Sequence, residues 1–116
     1  MYSAVRANQQ YRQTQVMTTD PLQLLVMTYD YAIAGCRERN LEKVTAALKE
    51  LRSALNHEEG GQLAADLLSL YLYMADQARR GHFDHVATLL QELRNTWSAV
   101  REQVLQPEPA PVEYAA

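Results

Sequence analysis

Asp20-Pro21-Leu22-Gln23-Leu24-Leu25-Val26-Met27-Thr28-Tyr29-Asp30-Tyr31-Ala32-Ile33 begins like a helix and then carries two apolar stripes where one is usual. Asp20 is placed to act as N-cap, and Pro21 falls at the first helical position, where its missing N–H costs nothing. At about 100° per residue, Leu22, Leu25, Tyr29, Ala32 and Cys36 share one arc, with Val26 and Ile33 at its edge. Leu24, Met27, Tyr31 and Ala34 fall on nearly the opposite arc. The first stripe can face a core. The second needs a different cover, and the nature of that cover is the main clue to function.

The pattern predicts this first helix over Pro21 to Glu38, and three more follow it. Asn40 caps a second, whose Leu41, Val44, Leu48, Leu51 and Leu55 form a one-sided seam. Its other face carries Glu42, Lys43, Lys49, Glu50 and Arg52, a solvated surface. Gly60-Gly61 breaks the pattern and opens a third helix, Gln62 to Arg80, with Leu63, Leu67, Leu70, Met74 and Ala78 as its core line and Tyr71 beside them. Ala65, Leu68, Leu72 and Ala75 widen its apolar arc beyond one face. Gly81 stops it as a C′ residue. Asp84 is the expected cap of a fourth helix, His85 to Leu105, with the seam Val86, Leu90, Leu93, Trp97, Val100 and Val104, which places Trp97 in the core. Short connections make neighbours antiparallel, so the expected fold is all-α: an up-down-up-down four-helix bundle over residues 19–105.

Two flanks complete the expected organisation. Residues 106–116, with Pro107, Pro109 and Pro111, read as a disordered tail. Residues 1–18 are rich in Gln and polar groups, yet Tyr2, Val5, Tyr11 and Val16 give them some grip on an apolar surface, so they read as a loosely docked arm.

Composition excludes several classes of function. A chain of 116 residues, 47% hydrophobic, is one domain and is not generally disordered. The net charge is −3, and Arg37/Arg39 and Arg79-Arg80 lie at helix C-termini, where cations favour the helix dipole. No basic face points to nucleic acid. The single cysteine, Cys36, lies on the core stripe and suits a reducing compartment. The first residues lack the apolar core of a signal peptide, and no apolar run approaches the ~18 residues of a membrane span. A cytoplasmic protein without membrane insertion is expected.

Few residues in the sequence are placed for chemistry. His82 and His85 sit at a helix–helix turn with no third ligand, and no Glu-x-x-His pair suggests a metal bundle. Glu58-Glu59 complement a helix N-terminus. Gly60-Gly61 lacks the lysine of a phosphate loop. No nucleophile meets a base. The expectation is a protein that is not an enzyme and needs no cofactor or metal.

Tyr29, Tyr31, Tyr71 and Tyr73 form two Tyr-x-Tyr pairs. Residues two apart lie on different helix faces, so one tyrosine of each pair can join the core and the other cannot. With the extra stripes, this makes Leu24, Met27, Tyr31, Leu68, Leu72 and Tyr73 the expected lining of a protein-binding groove. Met suits such an adaptable surface.

The sequence also resembles a known family, the flagellin-specific export chaperones (FliS). The motifs that carry the resemblance are Val16-Met-Thr18-Thr-Asp-Pro21-Leu-Gln-Leu24-Leu-Val-Met27-Thr-Tyr29-Asp30-Tyr-Ala-Ile, Glu59-Gly60-Gly61-Gln-Leu63-Ala64-Ala-Asp-Leu67, Leu70-Tyr71-Leu-Tyr73-Met74 and Arg94-Asn-Thr-Trp97. They run from about Tyr11 to Trp97. The resemblance implies a helical bundle that binds the C-terminal segment of flagellin in apolar grooves, prevents premature polymerisation and delivers it to the gate of the flagellar type III export apparatus. It also implies an N-terminal arm that covers part of the groove and yields to flagellin. The chain departs from the family in Gln62, Asp66 and Leu72. Its first two helices are also shorter than the family's, by about two turns each. A structural bundle that forms a homodimer through its second stripes, or a divergent paralogue serving another filament protein, accounts for the same pattern.

Overall fold

The computed structural model describes residues 20–105. The arm expected at 1–18 and the tail expected at 106–116 lie outside the described residues. Four helices follow one another: α1 Pro21–Arg37, α2 Leu41–Ser53, α3 His57–Arg79 and α4 Phe83–Leu105. They pack as a ring, α1 on α2, α2 on α3, α3 on α4 and α4 back on α1, which is the expected bundle. The α1–α4 contact is the most extensive and α3–α4 the least.

The helix ends show how local chemistry sets this arrangement. The Asp20 carboxylate accepts from the Gln23 N–H at 2.9 Å and Pro21 follows it, as expected. α1 ends without a glycine. Arg39 takes the left-handed conformation (φ 55°), while Arg39 N–H and Asn40 N–H bond back to the carbonyls of Cys36 and Gly35. This cap usually recruits Gly. Asn40 then caps α2, accepting from Lys43 N–H at 3.0 Å. The turn lets α2 press on α1 at Gly35, where an added Cβ would lie 3.0 Å from Val44 Cγ2 and 3.1 Å from the Val44 backbone nitrogen.

α3 starts earlier than its sequence suggests. Asn56 accepts from Glu59 N–H at 3.0 Å and nucleates one turn, His57–Gly60, before the Gly pair interrupts it. Gly61 (φ 51°, ψ −125°) kinks the helix there. That backbone region is open essentially to glycine alone. Gly81 stops α3 as expected. Asp84 is not the cap of α4. The helix begins at Phe83, and Asp84 sits in its first turn, paired with Arg39 at 3.3 Å.

The core joins Tyr29, Ala32, Ile33 and Cys36 to Val44, Leu48 and Leu51, to Leu67, Tyr71, Met74 and Ala78, and to Phe83, Val86 and Leu90. No polar or charged residue is buried among the described residues. Burial pushes the Cys36 thiol up to about 11, with the Asp84 charge adding to it, so the thiol stays protonated and structural. Several residues expected in the core depart from it, Leu41 at the start of α2 among them, 39% exposed. Leu63 is 59% exposed and Ala64 takes its inward place. Val104 is exposed because α4 outruns α1: the Asp20–Arg101 contact marks where α1 begins, and Val104 lies beyond it. Trp97 is only half-buried.

Candidate functional site

The two ends of the bundle differ in how well they close. At one end the α1–α2 turn meets the α3–α4 turn. Gly35 touches Val44, Phe83 and Val86 are buried, and the Arg39 guanidinium lies 5.7 Å over the Phe83 ring while it pairs with Asp84. At the other end an apolar cavity of about 200 Å³ opens. Its wall comprises Leu25 from α1, Leu51, Ala54, Leu55 and Asn56 at the end of α2, Gly60, Leu63, Ala64, Leu67 and Tyr71 from α3, and Trp97 from α4. Gly60, Ala54 and Ala64 are too small to fill the space between the larger residues. Among the described residues Leu63 stays exposed at this end, where α2 has ended at Ser53.

α4 is locked to α1 beside this cavity. Arg94, Trp97 and Arg101 are spaced three and four apart and share one face. Arg94 Nε donates to Asp30 at 2.9 Å, Trp97 Nε1 to the Tyr29 hydroxyl at 3.2 Å, and Arg101 Nε to Asp20 at 3.0 Å. Partial burial pushes the Asp20 carboxyl up, but the Gln23 N–H and the Arg101 guanidinium outweigh it and hold the group below its ordinary 3.8. The seam fixes Trp97 as one wall of the cavity.

Tyr29 and Tyr71 meet between the two ends. Their rings are tilted by 57° with centroids 6.4 Å apart, and their hydroxyls share a hydrogen bond. Burial raises both phenol pKa values. The Tyr71 and Trp97 bonds partly offset the rise at Tyr29, whereas at Tyr71 the Tyr29 hydroxyl adds to it.

The expected groove residues occupy two separate corners. Leu24 is half-buried, Met27 is 48% exposed and Tyr31 52% exposed on the outer face of α1, where the Lys43 ammonium stands 4.7 Å from the Tyr31 ring centre. On α3, Leu68 is half-buried, Leu72 and Tyr73 are exposed, and the Tyr73 hydroxyl pairs with His85 Nε2 at 2.9 Å. α1 and α3 lie at opposite corners of the ring, so these sets do not share one groove. The cavity residues Leu55, Leu63 and Trp97 fall on seams that the helical spacing assigns to the core. The signal that marks them is the small residues Ala54, Gly60 and Ala64 set beside them. Tyr2, Val5, Tyr11 and Val16 lie outside the described residues.

Among the described residues no three groups are placed to hold a metal. The His82 ring pairs with Gln77 and the His85 ring with Tyr73. No helix among them is long and apolar enough to cross a membrane.

No curated protein and no solved structure matches the chain. One family model, described as Flagellar protein FliS, does match, over residues 36–104. That span takes in the Gly60-Gly61 kink, the Tyr71 motif and the Arg94-to-Trp97 motif, and it contains ten of the eleven cavity residues. It leaves the opening stretch at 16–33 outside. The match covers more than half of the chain's 116 residues, and the protein therefore belongs to the FliS family of flagellar proteins.

Proposed function

We propose that this protein is a cytoplasmic chaperone that holds the C-terminal segment of flagellin, keeps it from polymerising, and hands it to the flagellar type III export gate. Membership of the FliS family carries a general flagellar export-chaperone role. The observation that supports the finer reading is the open apolar cavity between Leu25, Leu55, Leu63 and Trp97. A large apolar side chain moved from water into such a site contributes about 1.5–3 kcal/mol, enough to anchor an otherwise disordered segment. The outer stripes Leu24/Met27/Tyr31 and Leu68/Leu72/Tyr73 extend the contact, so the client wraps the bundle and engages more than one corner.

Titration with a synthetic peptide of the flagellin C-terminal segment tests this reading. Trp97 is the sole tryptophan and lines the cavity, so binding is expected to give a saturable change in its fluorescence. A flat titration with no heat of binding, together with a stable dimer in sedimentation, would favour self-association through the stripes instead. Uptake of another filament protein's segment in place of flagellin's would identify a divergent paralogue.

A further inference from the structure

The glycine pair near the start of α3 is required by the kink and not by the helix. Gly61 stands at φ 51°, ψ −125°, a conformation that glycine alone adopts readily, although an added Cβ would meet nothing within 4 Å. Gly60 is limited by space instead. A Cβ there would lie 2.9 Å from the Ala64 Cβ, which is fixed to the backbone and cannot rotate away. In a straight helix, residues four apart hold their Cβ atoms about 5–6 Å from each other. A straight α3 would therefore accept alanine at both positions and would gain from it, because glycine is the poorest helix former after proline. The kinked form accepts alanine at neither without strain.

The kink also decides where one wall of the cavity stands. Asn56 closes the turn at residues 57–60 on itself: its carbonyl accepts from the Gly60 N–H at 2.7 Å and its side chain from the Glu59 N–H at 3.0 Å. The turn is thus a small unit joined to the rest of α3 at Gly61. Leu55, half-buried against the core, ties it inward, while His57, Glu58 and Glu59 are exposed. Leu55, Asn56 and Gly60 line the apolar cavity that Trp97 also lines. We infer that α3 has two forms that differ at Gly61. In the kinked form, residues 55–60 wall the cavity. In the straight form the turn continues the α3 axis, Leu55 leaves the core and the cavity opens beside Trp97. The straight form loses the burial of Leu55, the kinked form is free of strain only because both residues are glycine, and so the pair keeps both forms accessible. That the withdrawn wall admits client rests on the proposed chaperone function. The two forms do not, and they are measured without client.

Relaxation-dispersion NMR on the full chain is the first test. Amides 55–63 should exchange on the microsecond-to-millisecond scale with a minor form populated at about 1–10%. Its Gly61 Cα shift should lie toward the helical value, and the Leu67 and Met74 amides should give flat profiles. The double substitution Gly60→Ala, Gly61→Ala should make this minor form the major one. Its Cα shifts at both positions should then be helical, and Trp97 emission should move to longer wavelength as its neighbouring wall withdraws. If the double variant does not fold, dispersion in the unsubstituted protein decides alone. Flat dispersion at 55–63, or a folded variant whose residue 61 stays non-helical, would overturn the two forms. Helical shifts at 61 with unchanged Trp97 emission would overturn the opening of the cavity. Neither result bears on whether flagellin peptide binds, which the titration above reads separately.

Discussion

The closed and open ends of this bundle are built from the same four helices and the same kinds of residue, yet they pack differently. At the closed end, Gly35 admits Val44, Phe83 and Val86 are buried, and Arg39 pairs with Asp84 across the two turns. At the open end, Leu63 and Trp97 stand where a closed bundle would bury them, around apolar volume that the described residues do not fill. Stability should therefore be concentrated at the closed end and along the α1–α4 seam. Binding should be concentrated where packing is incomplete.

The largest effect expected comes from the tyrosine pair between the ends. Both folded-state pKa values are raised, so their contribution is fully present below the ordinary tyrosine value of 10.0 and is lost as pH climbs through the folded values. Alkaline titration should show tyrosinate absorbance from Tyr29 and Tyr71 appearing in step with loss of the helical signal. Tyrosinate formation by this pair in a protein that stays helical would contradict the packing described. Leu48→Ala comes next. Leu48 is 2% exposed, and its truncation should cost about 2–5 kcal/mol by denaturant unfolding. Gly61→Ala forces a side chain into a backbone region that glycine alone adopts readily (φ 51°, ψ −125°) and should cost about 1–3 kcal/mol. Arg39→Gly relieves left-handed strain at the α1 cap but gives up the exposed Asp84 ion pair and the contact over Phe83, so it should stabilise by no more than about 0.5 kcal/mol. Leu63→Ala, at the open end, should shift stability by less than about 0.5 kcal/mol.

Much of the fold was legible because its signals are local. Asp20 and Pro21 start α1, Asn40 starts α2, Gly81 ends α3, and the apolar arcs point the right residues inward. The cap at Arg39 was hidden, since no glycine or asparagine marks the left-handed position there. The turn His57–Gly60 was hidden as well, because a glycine pair reads as a break when it is here a kink within a helix. The site was harder to read. Helical periodicity gives an angle around the axis, not a height along it, so Leu63 and Trp97 counted as core although the bundle has thinned at their level. Height depends on where the neighbouring helices stop and how tightly α3 meets α4, and these are tertiary facts. The same limit explains why Leu24, Met27 and Tyr31 were grouped with Leu68, Leu72 and Tyr73. Both sets are outward stripes, but they sit on opposite corners.

The claim that the open end is the client site is tested most directly by Leu63→Asp, measured for thermal unfolding and for affinity toward the flagellin C-terminal peptide. Leu63 is 59% exposed in the free protein, so the melting temperature should hardly move. A carboxylate at the rim of an apolar cavity should weaken peptide binding at least about tenfold, because its desolvation goes uncompensated. An unchanged affinity with an intact fold would contradict the assignment and place the client elsewhere on the bundle.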